Sequence, residues 1–117
     1  MITDYLTKMC DATALNTGAA GTYLIGSQID LGAARDLGQF SGEPLYLVIK
    51  VTTTATSGGS ATGTFKLVSD DTAAISTTTS TVHVTTPTFT VANMVAGTEL
   101  IVVALPLEGN AYEQFLG

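Results

Sequence analysis

Alternating hydrophobic and polar positions recur along the chain, and the clearest alternation lies between residues 45 and 52. Two sets of side chains there face opposite ways: Leu45, Leu47, Ile49 and Val51 on one side, and Tyr46, Val48, Lys50 and Thr52 on the other. A period of two is typical of a β-strand, whose successive side chains point to opposite faces. The pattern therefore predicts a long strand over 45–54.

Shorter apolar segments predict further strands over 23–31, 64–69, 74–85, 89–95, 99–105 and 112–116. Turn-forming residues separate them, as in the Gly-rich loop 55–63. The Thr-rich stretch 77–81 could bulge or loop, and Gly26 marks either a bulge or a close backbone approach. Roughly seven or eight short strands, with no helix of three turns, predict an all-β sandwich or barrel.

The N-terminal segment 1–16 allows two interpretations. Ile2, Tyr5 and Met9 have helical spacing, whereas from Leu6 onward the apolar residues could share one strand face. We favour an extended arm, which could include a first strand, followed by a single β-sandwich domain over 17–117.

The chain is long enough for one domain with one hydrophobic core. Aliphatic side chains together with Phe65, Phe89 and Phe115 are expected to fill the space between two sheets. Segment 99–105 is apolar at nearly every position, a pattern that predicts burial on both of its faces.

Composition narrows the possible partners. Charged residues make up only 12% of the chain, about half the usual share. The net charge is −6, and the few basic residues are scattered rather than clustered, which argues against direct nucleic-acid binding. No apolar run approaches the ~18 residues of a membrane span, and the N-terminus lacks the apolar core of a signal peptide, so no membrane partner is expected. With one cysteine, no intrachain disulfide can form.

No arrangement of reactive residues points to catalysis or to a bound metal. Cys10, His83 and an aspartate could form a nucleophilic triad in principle, but His83 lies between two valines in a predicted strand. If those valines point inward, His83 faces solvent or a partner. Asp70 and Asp71 suit a turn better than a calcium loop. The sequence therefore predicts that the protein is not an enzyme and needs no cofactor.

Arg35, the only arginine, lies beside Asp36 in the connector 32–43. Its guanidinium could pair internally with Asp30, Asp36 or Glu43 and so fix the connector. Alternatively it could anchor a partner protein, because connectors often carry binding residues. Both interpretations remain open at the level of sequence.

Several segments resemble those of capsid cement proteins, the small head-decoration proteins of tailed phages. The main similarity lies in 29–32 (IDLG), 34–36 (ARD) and 42–48 (GEPLYLV). The opening MITD, the SDD motif at 69–71 and the segments 105–107 and 113–116 resemble further landmarks in the same order. The similarity covers nearly the whole chain.

This resemblance implies a jelly-roll-like antiparallel β-sandwich on the outer surface of a phage capsid, made in the bacterial host cytoplasm. The implied partner is the major capsid protein, whose neighbouring subunits it would cement, together with further copies of this chain in a homo-oligomer, with a dimer favoured and a trimer possible. Candidate contacts with the capsid or with another copy are Met1, Ile2, Tyr5, Arg35, Asp36, Gln39 and Phe40. In that family the late strand continues and another follows, whereas this sequence stops at Gly117, either because this member is shorter or because the sequence is cut there. A missing final strand would expose an unpaired sheet edge, which a neighbouring subunit could cover.

The alternative function is a jelly-roll carbohydrate-binding or adhesin module of a phage tail. Sugar-binding faces commonly present aromatic side chains, and Tyr23, Tyr46 and Tyr112 are the candidate platforms. The absence of tryptophan and the low aromatic content, 7%, make this the weaker interpretation.

Overall fold

The computed structural model describes residues 5–15, 19–34, 45–105 and 112–117. Within these ranges the protein is all-β, and two single-turn 3-10 helices, Tyr5–Thr7 and Val91–Asn93, are the only helical elements. None of the described helices has the length and apolar character needed to cross a membrane. Eight strands occur in chain order: β1 Ile29–Asp30, β2 Tyr46–Lys50, β3 Thr62–Gly63, β4 Lys66–Asp70, β5 Thr81–Thr85, β6 Phe89–Thr90, β7 Glu99–Ala104 and β8 Phe115–Leu116.

The strands pair in a nested order. β1 pairs with β8, β2 with β7, β3 with β6 and β4 with β5, and every pair is antiparallel. β4 also pairs with β8, which gives a four-stranded sheet in the order β1-β8-β4-β5 beside two two-stranded sheets. First-with-last nesting is what a long hairpin produces when it folds over into a jelly roll. The predicted all-β, jelly-roll-like antiparallel β-sandwich is therefore confirmed.

The last described strand, β8, does not lie at an unpaired edge of its sheet. Leu116 of β8 lies opposite Ile29 on one side and Ser69 on the other. Gly117 continues the pairing, exchanging two 2.9 Å backbone hydrogen bonds with Val68. The unpaired edge considered from the sequence does not occur at this strand, because Leu116 is buried and its strand inserts between β1 and β4.

The core is centred on Leu67, Tyr112 and Leu116. Partly buried side chains surround this cluster: Met9, Ile29, Leu31, Leu47, Val84 and Leu105. The expectation that three phenylalanines fill the centre needs correction. Phe65 and Phe89 pack on each other, with ring centroids 6.4 Å apart, and both are only half-buried. The aromatic side chain at the centre is that of Tyr112, which is 0% exposed.

Several predicted strands are shorter than the apolar patterns suggested, among them 74–85, of which only Thr81–Thr85 is a strand. Of 23–31, only Ile29–Asp30 pairs as a strand. The segment predicted over 89–95 leaves the strand after Thr90, because the side chain of Asn93 accepts hydrogen bonds from the backbone N–H and the hydroxyl of Thr90 (3.3 and 2.9 Å). Such local side-chain contacts compete with sheet pairing and favour a turn.

Candidate functional site

A buried polar network joins β4, β5 and the segment that leads into β8. The hydroxyl of Ser69, which is 0% exposed, lies 2.7 Å from Nε2 of His83 and accepts a hydrogen bond from the backbone N–H of Glu113 at 3.1 Å. The His83 ring stacks on Tyr112, with centroids 3.9 Å apart and planes inclined by 28°. Thr81 donates a 2.8 Å hydrogen bond to the carboxylate of Glu113. The network therefore fixes the C-terminal segment on the four-stranded sheet.

A β-bulge explains why His83 points inward. Leu67 pairs with Val84 and Val68 with Val82, so His83 is the extra residue in β5. A bulge changes the direction in which a side chain points. The condition considered from the sequence, with both valines inward and His83 outward, is not met: Val84 packs against the core, but His83 is half-buried and Val82 is 47% exposed.

The serine–histidine pair resembles a nucleophile with its base, but it is built as a structural contact. Ser69 is enclosed on all sides, so no substrate carbon could approach its oxygen. Cys10 is exposed, and no hydrogen bond joins it to His83. In the described ranges, no group of three histidine, cysteine or acidic side chains could hold a metal ion. The triad considered from the sequence is not assembled.

Asp70 forms the turn after β4, as its sequence context predicted. One carboxylate oxygen accepts hydrogen bonds from the backbone N–H and the hydroxyl of Thr72, both at 3.2 Å, and the other accepts the N–H of Ser76 at 2.8 Å. The N–H groups of Ser76 and Thr72 lower the pKa of Asp70 below its ordinary 3.8, because they stabilise the ionised carboxylate.

Replacement of this carboxyl group is expected to make stability less sensitive to acid. A lowered folded-state pKa means that ionised Asp70 stabilises the fold above the unfolded-state value near 3.8. That contribution disappears as pH falls through the still lower folded-state pKa. Urea unfolding of the wild type and of Asp70→Asn should therefore differ most at neutral pH, and the difference should shrink below about pH 4.

Glu99→Gln provides the control for Asp70→Asn, because the exposed Glu99 carboxylate accepts no hydrogen bond from the described residues. It should unfold like the wild type at every pH. A difference between the wild type and Asp70→Asn that stayed constant down to strong acid would contradict the assigned role of the ionised carboxylate.

The segment 29–32, which carries part of the family resemblance, has a structural role. The side chain of Ile29 packs against the core. One carboxylate oxygen of Asp30 accepts the N–H of Gly32 at 2.7 Å and the side-chain amide of Gln114 at 3.0 Å. These two hydrogen bonds lower the pKa of Asp30. The segment thus ties β1 to the residues just before β8.

Nearly all of the interface residues proposed from the sequence lie outside the described ranges. This applies to Met1, Ile2, Arg35, Asp36, Gln39 and Phe40, and therefore also to the pairing of Arg35. Tyr5 begins the first 3-10 turn. Three residues later in the same arm region, Lys8 pairs with the carboxylate of Asp11 at 2.6 Å.

Most of the large exposed apolar side chains lie on two parts of the described surface, whereas Val82 of β5 and Val95 before β7 lie elsewhere. The first is the segment 6–28, where Leu6 is 81% exposed and Leu15, Tyr23 and Leu24 are each about half exposed. The second is the outer face of the β2–β7 sheet, where Tyr46 and Val102 are exposed by 55% and 42%. Both parts present apolar surface that a partner protein could cover.

The exposed outer face of the β2–β7 sheet was not predicted, because the continuous apolar run 99–105 was interpreted as a buried strand. In the structure Leu47 and Val103 point toward the core side, whereas Val102 and Ala104 are exposed. The prediction that 99–105 is buried on both faces was therefore wrong. A two-stranded apolar sheet with nothing packed on its outer side gives the same sequence pattern as a strand in the middle of a core.

The sequence comparison identifies the family. The Bbp16 family model matches residues 9–117. The chain belongs to the Bbp16 family. No curated protein and no solved structure matches it significantly. Bbp16 is a phage-associated family, which agrees with the phage origin that the sequence resemblance implied. The Bbp16 match includes the signature segment 29–32, the Asp70 turn and the β8 segment held by Tyr112.

Proposed function

We propose that this Bbp16-family protein is a structural virion protein that binds the outer surface of a phage head and cements neighbouring major capsid protein subunits. In this proposal it acts on the assembled shell as a homo-oligomer, with a dimer favoured over a trimer. It contacts no nucleic acid directly and performs no catalysis.

The observation that carries the proposal is the amount of apolar side-chain surface left exposed by a phage-associated all-β domain. Nine large hydrophobic side chains are exposed, each by more than two-fifths. Charged side chains make up only 12% of the chain, so little charge surrounds these groups. A surface of this kind is suited to contact with neighbouring subunits rather than to permanent exposure to water.

The N-terminal segment is the best described candidate for contact with the shell. In its described parts, 6–15 and 19–28, every residue is exposed except the half-buried Met9 and Ile25, and Met9 packs against the core cluster. Ser27 donates a 2.8 Å hydrogen bond to the carbonyl of Met9, and the side chain of Gln28 binds the carbonyl of Ala73 at 2.7 Å. Its apolar side chains are thus displayed on a segment whose far end is fixed to the loop after β4.

Weak contacts suffice for this role. A symmetric shell presents many equivalent sites, and a protein that engages more than one of them binds through avidity. Each contact can then be small, polar at its rim and apolar at its centre.

The alternative, a carbohydrate-binding or adhesin module, is weakened by the position of its aromatic candidates. Tyr112 is fully buried, so it cannot stack on a sugar. The Tyr23 hydroxyl is engaged with the carbonyl of Ala19 at 3.1 Å. Tyr46 keeps an exposed ring, but its nearest neighbours on this face are Ala104, Val48 and Val102, whose side chains offer no hydrogen bond to a sugar.

Binding to expanded shells tests the proposal. Purified protein mixed with shells of its own phage that lack it should sediment with them, and binding should saturate at a fixed ratio to shell subunits. Leu6→Asp is expected to weaken this binding by about tenfold or more, because a charge replaces an apolar contact at a protein interface.

The matched control is Val95→Asp, since Val95 is also an exposed aliphatic residue but lies in the turn before β7. It should bind shells like the wild type. Protein that stays in the supernatant with intact shells would refute the cement role, and a glycan-binding screen would then test the alternative. If Leu6→Asp binds as tightly as the control, the N-terminal segment is not the contact.

A further inference from the structure

The outer face of the β2–β7 sheet has a regular cross-strand pattern. Three pairs of opposite residues make up this face: Tyr46 with Ala104, Val48 with Val102, and Lys50 with Glu99. Each pair joins one residue of β2 to one of β7. The third pair follows a bulge, where Leu100 is the extra residue of β7. The face therefore presents a large residue beside a small one, two valines side by side, and a cation beside an anion.

The charged pair is not satisfied within one subunit. Lys50 and Glu99 lie opposite each other, yet neither side chain forms an ion pair or a hydrogen bond with any described residue. Both are exposed. They add no net charge to the face, although the chain as a whole carries −6. Copies that repel each other elsewhere would thus meet no net repulsion here.

We propose that this face binds the same face of a second copy, related by a two-fold axis parallel to the strands. Such an axis places β2 of one copy over β7 of the other. Each residue keeps its position along the strand direction. Tyr46 then lies over Ala104 of the other copy, and Val48 over Val102. Lys50 lies over Glu99, and the symmetry makes each contact twice.

Other occupants fit the pattern less well. A like-charged surface would leave Lys50 or Glu99 opposite a charge of its own sign, and a purely apolar partner would bury both without a counter-charge. In the second copy, each cross-strand pair faces its equivalent pair, so that Tyr46 meets Ala104 and Lys50 meets Glu99. Packed sheets of this kind lie about 10 Å apart with roughly parallel strands, which the proposed axis allows.

The small area of the outer β2–β7 face indicates a weak dimer. Two strands about 4.8 Å apart and five or six residues long cover a few hundred Å² per copy, against about 800 Å² in a standard interface. The free protein should therefore be largely monomeric when dilute and should dimerise as its concentration rises. This pairing rests on the homo-dimer of the proposed function and assigns it a surface. It is measured on the protein without shells, so its failure is distinguishable from a failure of shell binding.

Charge reversal tests the pairing. Sedimentation equilibrium from micromolar to millimolar concentration should show a monomer–dimer equilibrium for the wild type. Lys50→Glu should weaken it by about tenfold or more, because two attractive contacts become repulsive. Glu99→Lys should do the same. The double variant K50E/E99K restores both contacts with reversed signs and should recover dimerisation to near the wild-type level.

Lys66→Glu is the control, since Lys66 is an exposed lysine on β4 in the four-stranded sheet. It changes the net charge as much as Lys50→Glu does but should leave dimerisation intact. The proposal is overturned if the wild type stays monomeric throughout, if Lys50→Glu behaves like Lys66→Glu, or if the double variant fails to recover. Circular dichroism of each variant verifies that the fold is unchanged.

Discussion

Tyr112→Ala is expected to lower the free energy of unfolding by about 3–5 kcal/mol, the usual cost of removing a fully buried aromatic side chain. Tyr112 is 0% exposed and belongs to the same cluster as Leu67 and Leu116. Its removal leaves a cavity beside Leu67 and Leu116 and takes away the ring on which His83 stacks. Because small domains have only about 5–15 kcal/mol of stability, this loss is a large fraction of the total.

The measurement is urea unfolding followed by circular dichroism, with two companion variants. Tyr112→Phe keeps the ring and its stack on His83 and should cost much less than the alanine variant. Tyr46→Ala removes a tyrosine that is 55% exposed, so it should change stability by less than about 0.5 kcal/mol in dilute solution. Equal losses for Tyr112→Ala and Tyr46→Ala would contradict the placement of Tyr112 at the centre of the core. If Tyr112→Ala does not fold, the phenylalanine variant still ranks the two sites.

The sequence predicted the fold class because strand alternation is a local property. The predicted strands 45–54, 64–69 and 99–105 each contain an observed strand or most of one, and Asp70 forms the turn that its residue type favours. The class follows from such short segments, since regularly spaced strands with turns between them leave few alternatives to a β-sandwich.

Features that depend on distant contacts could not be predicted. The orientation of His83 results from a bulge in the pairing of β5 with β4, and nothing in the five residues of β5 marks it. The burial of Tyr112 depends on β8 inserting between β1 and β4, a position that no local pattern encodes. An apolar strand likewise does not reveal whether a second layer covers it, which is why the exposed face of β7 was predicted to be buried.

The sequence indicated a special backbone role for Gly26, and the structure identifies that role. Its φ is +74°, a conformation that L-residues rarely adopt, and a Cβ added there would lie 2.1 Å from the carbonyl oxygen of Met9. Of the two possibilities open from the sequence, a bulge or a close backbone approach, the second is correct. The neighbouring hydrogen bond from Ser27 to Met9, 2.8 Å long, depends on this approach.

Gly26→Ala is therefore expected to loosen the N-terminal segment 6–28 internally, by separating the part around Met9 from Ser27. The methyl group meets backbone rather than a flexible side chain, so the two segments must separate and the Ser27–Met9 hydrogen bond must break. The left-handed conformation alone costs roughly 1–2 kcal/mol for a residue with a Cβ, and the clash adds to that cost. Hydrogen exchange should become faster at the amide of Ser27, and a protease should cut within 6–25 sooner than in the wild type.

Gly32→Ala separates the cost of the left-handed conformation from the cost of the clash with Met9. Gly32 has nearly the same φ, +77°, but a Cβ there would meet nothing within 4 Å. It should show the conformational cost alone and keep the wild-type protection at Ser27. If the N-terminal segment is the shell contact, Gly26→Ala should also bind shells more weakly, because a loosened segment must be ordered again on binding. Equal protection of Ser27 in the two alanine variants would show that the close approach to Met9 does not hold the segment in place.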